Sequence, residues 1–151
     1  MSWSVYLSGE IHSNWRDEIV SKSQNSGLDI QFTGPITNHA ISDDCGLSIM
    51  GPEEKQFWHD HKSAKLNAIR TRRGIEKADI VVVRFGDKYK QWNAAFDAGY
   101  AAALGKSLII LHDSSLDHAL KEVDSAALAT VENTEQVVAI FHYVIKGNII
   151  A

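Results

Sequence analysis

Asp97 is the acid in "WNAAFDAGYAAALGK", residues 92–106, a stretch otherwise made almost entirely of apolar and small residues. On a helix beginning near Trp92, positions 93, 97, 100 and 101 share one face. Ala98, Gly99, Ala101, Ala102 and Ala103 are small enough for that helix to lie close against a sheet. An acid on so apolar a helix is expected to be partly buried, and burial raises a carboxyl pKa unless donors compensate. Two readings follow. Asp97 is either a reactive carboxylate at the mouth of a sheet, or a polar residue facing water or a lysine such as Lys90.

Four other groups could carry chemistry. The turn "SGEIHSNWR", residues 8–16, runs from a strand into a helix, where backbone donors and the helix dipole favour an anion. It is neither a Walker loop nor a GxGxxG fingerprint, so Ser8, Gly9, Ser13 and Arg16 are candidate phosphate contacts by position only. In the plainer reading Arg16 pairs with Asp17 or a neighbouring acid. Arg84 ends the apolar run "ADIVVVRFG", where a lone guanidinium is costly without a partner. That partner is a ligand phosphate or carboxylate, or a resident acid such as Asp97, whose pKa the pairing would lower. Residues 37–63 carry His39, Cys45, Phe57, Trp58, His59 and His61. Trp58 and Phe57 either cover a base or pack a helix on the sheet. The "HDH" of 59–61 does not point to a metal, because i and i+2 on a helix diverge by about 200°. "RTRR", residues 70–73, reads as a solvated basic face or an anion site.

Positioning these groups falls to a chain of 151 residues, long enough for one domain spanning 1–151. A net charge of −4 argues against a duplex nucleic-acid partner, which would want a basic surface. One cysteine allows no internal disulfide and fits a reducing cytoplasm. No apolar run approaches the roughly 20 residues that span a bilayer, and the start has no signal-peptide pattern.

Strands and helices alternate. "SVYLSG" reads as a first strand, then a helix from Ser13 or Asn14 to Gly27, and "LDIQFTGP" as a second strand. Residues 36–51 show little pattern, the segment 37–63 suggests a lid or binding loop, and Pro52 with Glu53 and Glu54 opens a helix reaching about Lys77. "ADIVVVRFG" is a strand buried on both faces, the Asp97 helix follows, and "SLIILHD" is the fourth strand. "LDHALKEVDSAAL" reads as helix, "ATVEN" as a weak strand, and a last helix starts with Thr134 as its cap. This predicts a flavodoxin-like doubly wound α/β fold with a five-stranded parallel sheet of order 2-1-3-4-5. Its switch point lies between strands one and three. Ser8 to Ile11, Arg84 to Asp87 and the first turns of the Asp97 helix then share one rim.

"VYLSG", "KADIVVV" and "FDAGYAAALGKSLIIL" resemble, in order and spacing, the nucleoside 2-deoxyribosyltransferase family and in particular its YtoQ-type branch. The resemblance implies a retaining attack on the anomeric carbon of a nucleoside or nucleotide, without cofactor. Asp97 stands where the family has its nucleophilic glutamate, and Tyr6 matches the tyrosine that orients it. Aspartate is one methylene shorter, and about 1 Å of misplacement can cost on the order of 100-fold in rate. Gln91 stands where a base-contacting aspartate is usual, Asn93-Ala94 replaces Gly-Thr, and Thr71 replaces a further aspartate. Asp87, Asp79 and Glu10 are the acids left to protonate a departing base, although Asp79 reads better as a strand-entry residue. Relatives that hydrolyse monophosphates hold phosphate in the turn comparable to residues 8–16. In the family a neighbouring chain completes the site, so a homo-oligomer is expected, with Asn148 and the carboxylate of Ala151 as candidate contributions. The rival expectation is a non-catalytic nucleotide-binding or sensing domain of the same fold.

Overall fold

The β-branched run Ile80–Arg84 forms the middle strand of an all-parallel sheet, as its apolar character on both faces requires. A computed structural model describes residues 1–149. In chain order the elements are β1 (Trp3–Gly9), α1 (Trp15–Asn25), β2 (Ile30–Thr33), α2 (His39–Met50), α3 (Gln56–Lys77) and β3 (Ile80–Arg84). Then come α4 (Trp92–Ala103), β4 (Ser107–Leu111), a 3-10 turn (Ser114–Leu116), α5 (Lys121–Ser125), β5 (Ala129–Val131) and α6 (Thr134–Lys146). The strand order is β2-β1-β3-β4-β5, the flavodoxin-like order expected from the alternation. No helix among the described residues is long and apolar enough to cross a membrane.

Strand parity divides the core in two. Val5, Leu7, Ile80 and Val82 join Ile19 and Phe141 on the α1/α6 face. Tyr6, Val81 and Val83 join Ile75, Ala98 and Ala101 on the α3/α4 face. Side chains alternate along a strand, so Ser8 follows Tyr6 onto the α4 side while Arg84 follows Val82 onto the α1 side. That alternation decides the partners of every polar group at the rim.

The structure departs from expectation in four places. Residues 39–50 are helical, not an irregular loop. Asn38 caps the helix by accepting from the Ile41 amide at 3.1 Å. Its closest support is tertiary, since Ser63 Oγ accepts from the Gly46 amide at 3.0 Å and donates to the Asp43 carbonyl at 2.5 Å. The helix beginning expected at Pro52 starts at Gln56. After β4 only five residues form α5, because His112 ties down Asp124 and Asp113 caps the preceding 3-10 turn. The last helix is capped by Asn133, which accepts from the Gln136 amide, and not by Thr134. Asp79 is a strand-entry residue, accepting from the Ser4 amide and hydroxyl at 2.8 and 2.9 Å.

Two predictions arise here. A Cβ at Gly46 would lie 2.6 Å from the Ser63 nitrogen. Gly46→Ala is therefore expected to destabilise by about 1–3 kcal/mol, although alanine in an uncrowded helix would gain about 1. Faster proteolysis within residues 37–55 would show it, and a stabilised variant would refute the crowding. The second concerns His112, which is 2% exposed and has Nδ1 2.7 Å from the Asp113 carbonyl and Nε2 2.9 Å from the Asp124 carboxylate. Both partners only accept, so the two contacts are hydrogen bonds together only when the ring carries both protons, as an imidazolium. Burial pulls its pKa down, but the Asp113 carbonyl and the Asp124 carboxylate outweigh burial and hold it above the ordinary value. A raised pKa stabilises the fold below the unfolded-state value, near 6.5, and the contribution is lost as pH rises through the folded value. Thermal unfolding of the native chain should therefore fall over that window relative to His112→Gln, and parallel pH profiles would disprove the imidazolium.

Candidate active site

Where β1 and β3 end, Gly9 pairs with Arg84 and the Glu10 amide donates to the Arg84 carbonyl at 3.0 Å. Beyond this edge opens a cleft of about 870 Å³, whose walls come from the β1–α1 turn, α2, α3 and the start of α4. Asp97, in the second turn of α4, lines it.

The Asp97 carboxylate is half-buried, and Ser8 Oγ donates to its Oδ2 at 2.5 Å. Its Oδ1 has no hydrogen-bond partner among the described residues and is not sealed from solvent. Burial raises the Asp97 pKa, and the Ser8 hydrogen bond opposes that rise. Lys90 lies over the Trp92 ring rather than on the acid. Arg84 does not meet Asp97 either: parity turns it to the α1 face, where Nη1 pairs with Glu10 Oε2 and also donates to Ser13 Oγ at 3.2 Å.

Tyr6 is where the resemblance and the geometry part. Its ring is 1% exposed and its hydroxyl lies 3.5 Å from Thr71 Oγ1, the outer limit of a hydrogen bond, not on Asp97. Tyr6 sits two residues deeper than Ser8, pressed under α3, where a Cβ on Gly74 would come within 2.3 Å of its ring. Orientation of the carboxylate thus belongs to Ser8. Burial raises the Tyr6 pKa, the Thr71 contact opposes this, and the nearby Asp97 charge adds to it.

The residues expected to hold phosphate are otherwise engaged. Arg16 donates through Nε to the Leu7 carbonyl at 3.1 Å, through Nη1 to the Glu10 carbonyl at 2.6 Å, and through Nη2 to the Gly9 carbonyl at 3.1 Å. It makes no ion pair with Asp17, and burial brings its pKa down to about 10. Ser13 Oγ donates to Glu10 Oε2 at 2.6 Å. Glu10 itself is 4% exposed and also receives the His12 amide and Arg84. Burial would raise its pKa, but the Ser13, His12 and Arg84 contacts lower it below the ordinary carboxylate value.

Of the other expected residues, Gly9, Gln91 and Asn93 line the cleft. Gln91 spends both ends on its own loop, accepting from the Gly86 amide at 2.8 Å and donating to the Lys88 carbonyl at 2.9 Å. Asp87 is exposed and away from the cleft wall, and Trp58 stands exposed outside it, edge-on to Phe57 and His61. His59 faces Asp44 and Asp60 while His61 stacks on Phe57, so the two rings turn apart. The Asn148 carbonyl accepts from His142 Nδ1 at 3.2 Å, and Ala151 lies outside the described residues.

The sequence reading missed the aromatic wall. His12 lies 4.9 Å from the Tyr89 ring and 5.8 Å from the His39 ring, centroid to centroid, and all three line the cleft. Tyr89 has φ of 63°, a left-handed conformation that a non-glycine residue adopts at a cost of roughly 1–2 kcal/mol. No local pattern marks these rings, which come from three separate segments. Arg70 and Thr71 of "RTRR" also reach the cleft.

Comparison with known proteins gives a consistent frame. A family model described as "Nucleoside 2-deoxyribosyltransferase YtoQ" matches residues 6–145. The chain is 47% identical over 146 residues to the uncharacterized protein YtoQ of Bacillus subtilis (strain 168), covering 97% of this chain and 99% of that protein. Among solved structures it resembles a conserved protein from Enterococcus faecalis V583, with a TM-score of 0.66 at 15% identity, covering 96% of this chain and all of the other. A 2-deoxyribosyltransferase from Bacillus psychrosaccharolyticus matches with a TM-score of 0.53 at 19% identity, over 89% of this chain and 90% of that one. A de novo designed Rossmann 2x3 protein scores 0.52 at 16% identity, over 100% and 96% of the two chains, so likeness at this level speaks for the fold alone.

Proposed function

The chain belongs to the nucleoside 2-deoxyribosyltransferase YtoQ family, and on that footing we propose that it cleaves the N-glycosidic bond of a nucleoside or nucleotide with Asp97 as nucleophile. A single observation carries this reading. Asp97 lines the cleft with one oxygen steered by Ser8 and the other free of partners and cations among the described residues. In the first step an Asp97 oxygen bonds to the anomeric carbon as the carbon–nitrogen bond breaks, and the base leaves with that electron pair and takes up a proton. In the second, a base nitrogen or water bonds to the same carbon as the Asp97 oxygen–carbon bond breaks, which restores the carboxylate while the attacking group gives up a proton. Asp79 is committed to Ser4, Asp87 stands off the cleft, and Glu10 is held by three donors, so none of these acids is free to protonate the departing base, and the cleft leaves water or the rings of His12 and His39 for that role. His12, His39 and Tyr89 offer flat faces on which a base can stack.

Incubation with a panel of nucleosides and their 5′-monophosphates, with free base read by chromatography, tests this directly. Release of free base, or exchange when a second base is added, is the expected result, and inertness toward the whole panel refutes it. Ser8→Ala is expected to lower kcat by about 10–100-fold with little change in KM, since a misaimed carboxylate loses near-attack geometry. An unchanged kcat would remove Ser8 from the mechanism. The second reading, a nucleotide-binding or sensing domain without turnover, is favoured by Gln91, whose polar ends are consumed by its own loop. Nucleoside binding without base release would select it.

A further inference from the structure

The turn expected to cradle a phosphate is already filled by an anion of the protein itself. Glu10 folds back so that its carboxylate takes the His12 amide at the entrance to α1, Ser13 Oγ at 2.6 Å and Arg84 Nη1. These are an amide, a hydroxyl and a guanidinium, the donor set that phosphate sites at strand-to-helix turns employ. The main chain there is pinned as well, because Trp15 Nε1 and Arg16 Nη1 donate to the Glu10 carbonyl at 2.7 and 2.6 Å. Gly86 closes over the side chain, and any Cβ at that position would come 2.6 Å from Glu10 Cγ. The carboxylate is thus a built part of the rim rather than a loose side chain.

We infer that Glu10 determines specificity: its carboxylate occupies the anion seat between β1 and α1, so that the cleft accepts uncharged nucleosides and rejects their 5′-monophosphates. A phosphate brought to this edge finds its donors taken and a like charge in place, which disfavours it twice. This rests on the nucleoside reading of the cleft. It narrows the substrate class within that reading, since the glycosidic chemistry at Asp97 is indifferent to the 5′ position. Of the other cations lining the cleft, Arg70 and Arg72 lie on α3 and Lys90 in the loop before α4, none of them on the β1–α1 turn, and all three are exposed.

The test measures equilibrium binding of the four 2′-deoxynucleosides and their 5′-monophosphates to the native chain, Glu10→Gln and Glu10→Ala, together with the thermal shift given by inorganic phosphate. The native chain should bind at least one nucleoside tenfold or more tighter than its monophosphate. Both variants should narrow or reverse that ratio, and phosphate should raise the melting temperature of Glu10→Ala but not of the native chain. Glu10→Gln keeps the side-chain length and guards against a variant that fails to fold with Arg84 unpaired. A monophosphate bound by the native chain as tightly as its nucleoside overturns the inference, and loss of that binding in Arg70→Gln would locate the phosphate on α3 instead. If no nucleoside or monophosphate binds the native chain, the nucleoside reading fails; the phosphate shift still decides the seat, and its absence in Glu10→Ala overturns it.

Discussion

Asp97→Asn is expected to release free base at least about 10³-fold more slowly than the native chain, while folding as well and keeping its affinity for nucleoside. Asparagine has the same shape and can still accept from Ser8 Oγ, so the 2.5 Å contact to β1 survives. What disappears is the charge and the nucleophilic oxygen. Because burial already disfavours ionised Asp97, removing its charge costs the fold nothing and is expected to leave the melting temperature equal or higher. The pH profile provides an independent check. The nucleophile works only ionised, and its pKa lies above the ordinary aspartate value, so activity should fall on acidification at a higher pH than an exposed aspartate, near 3.9, would give. The stability has the opposite sign. A raised carboxyl pKa stabilises the fold when protonated, and that contribution is lost as pH rises through the folded value, a dependence that Asp97→Asn should lack. Undiminished base release by Asp97→Asn would exclude this carboxylate as nucleophile.

The largest effect on stability is expected at Gly9. It ends β1 with φ of +105°, and a Cβ there would stand 2.1 Å from the Arg84 carbonyl oxygen, which accepts from the Glu10 amide. Neither problem relaxes alone: the left-handed conformation disfavours a side chain, and the obstruction is backbone of the central strand rather than a movable tip. Gly9→Ala should cost about 3 kcal/mol or more, combining dihedral strain with overpacking. For a domain of this size that lowers the melting temperature by on the order of 10 °C. Since Gly9 and Arg84 are register partners, the same change splays the edge on which Glu10 and Ser8 stand, so ligand binding should weaken even below the transition. Thermal unfolding that matches the native chain would contradict the close approach.

Much of the architecture was legible because it depends on local pattern. The β-branched run at 80–83 has few alternatives to a central parallel strand, and alternating strands and helices demand crossovers that lead to the observed order. The small residues of α4 announced a helix lying close to the sheet, with Ala98 and Ala101 buried and Asp97 held at its edge. Strand parity would also have told that Arg84 and Asp97 occupy opposite faces, since Arg84 keeps step with Ile80 and Val82. The helix at 39–50 escaped notice because its amphipathic signal is weak and its support comes from Ser63, seventeen residues beyond Gly46.

From residue order alone came the sheet, its sequence of strands and the rim to which Asp97 belongs, because each follows from periodicity and turn chemistry within a few residues; the family likeness came from the resemblance of three motifs. Tertiary structure alone decided that Ser8 and not Tyr6 holds the acid, that Glu10 sits where a phosphate was expected, and that His12, His39 and Tyr89 converge on one wall. Those outcomes depend on which side chains meet across segments tens of residues apart, and depth along a strand or the curl of a turn leaves no mark on the spacing of letters.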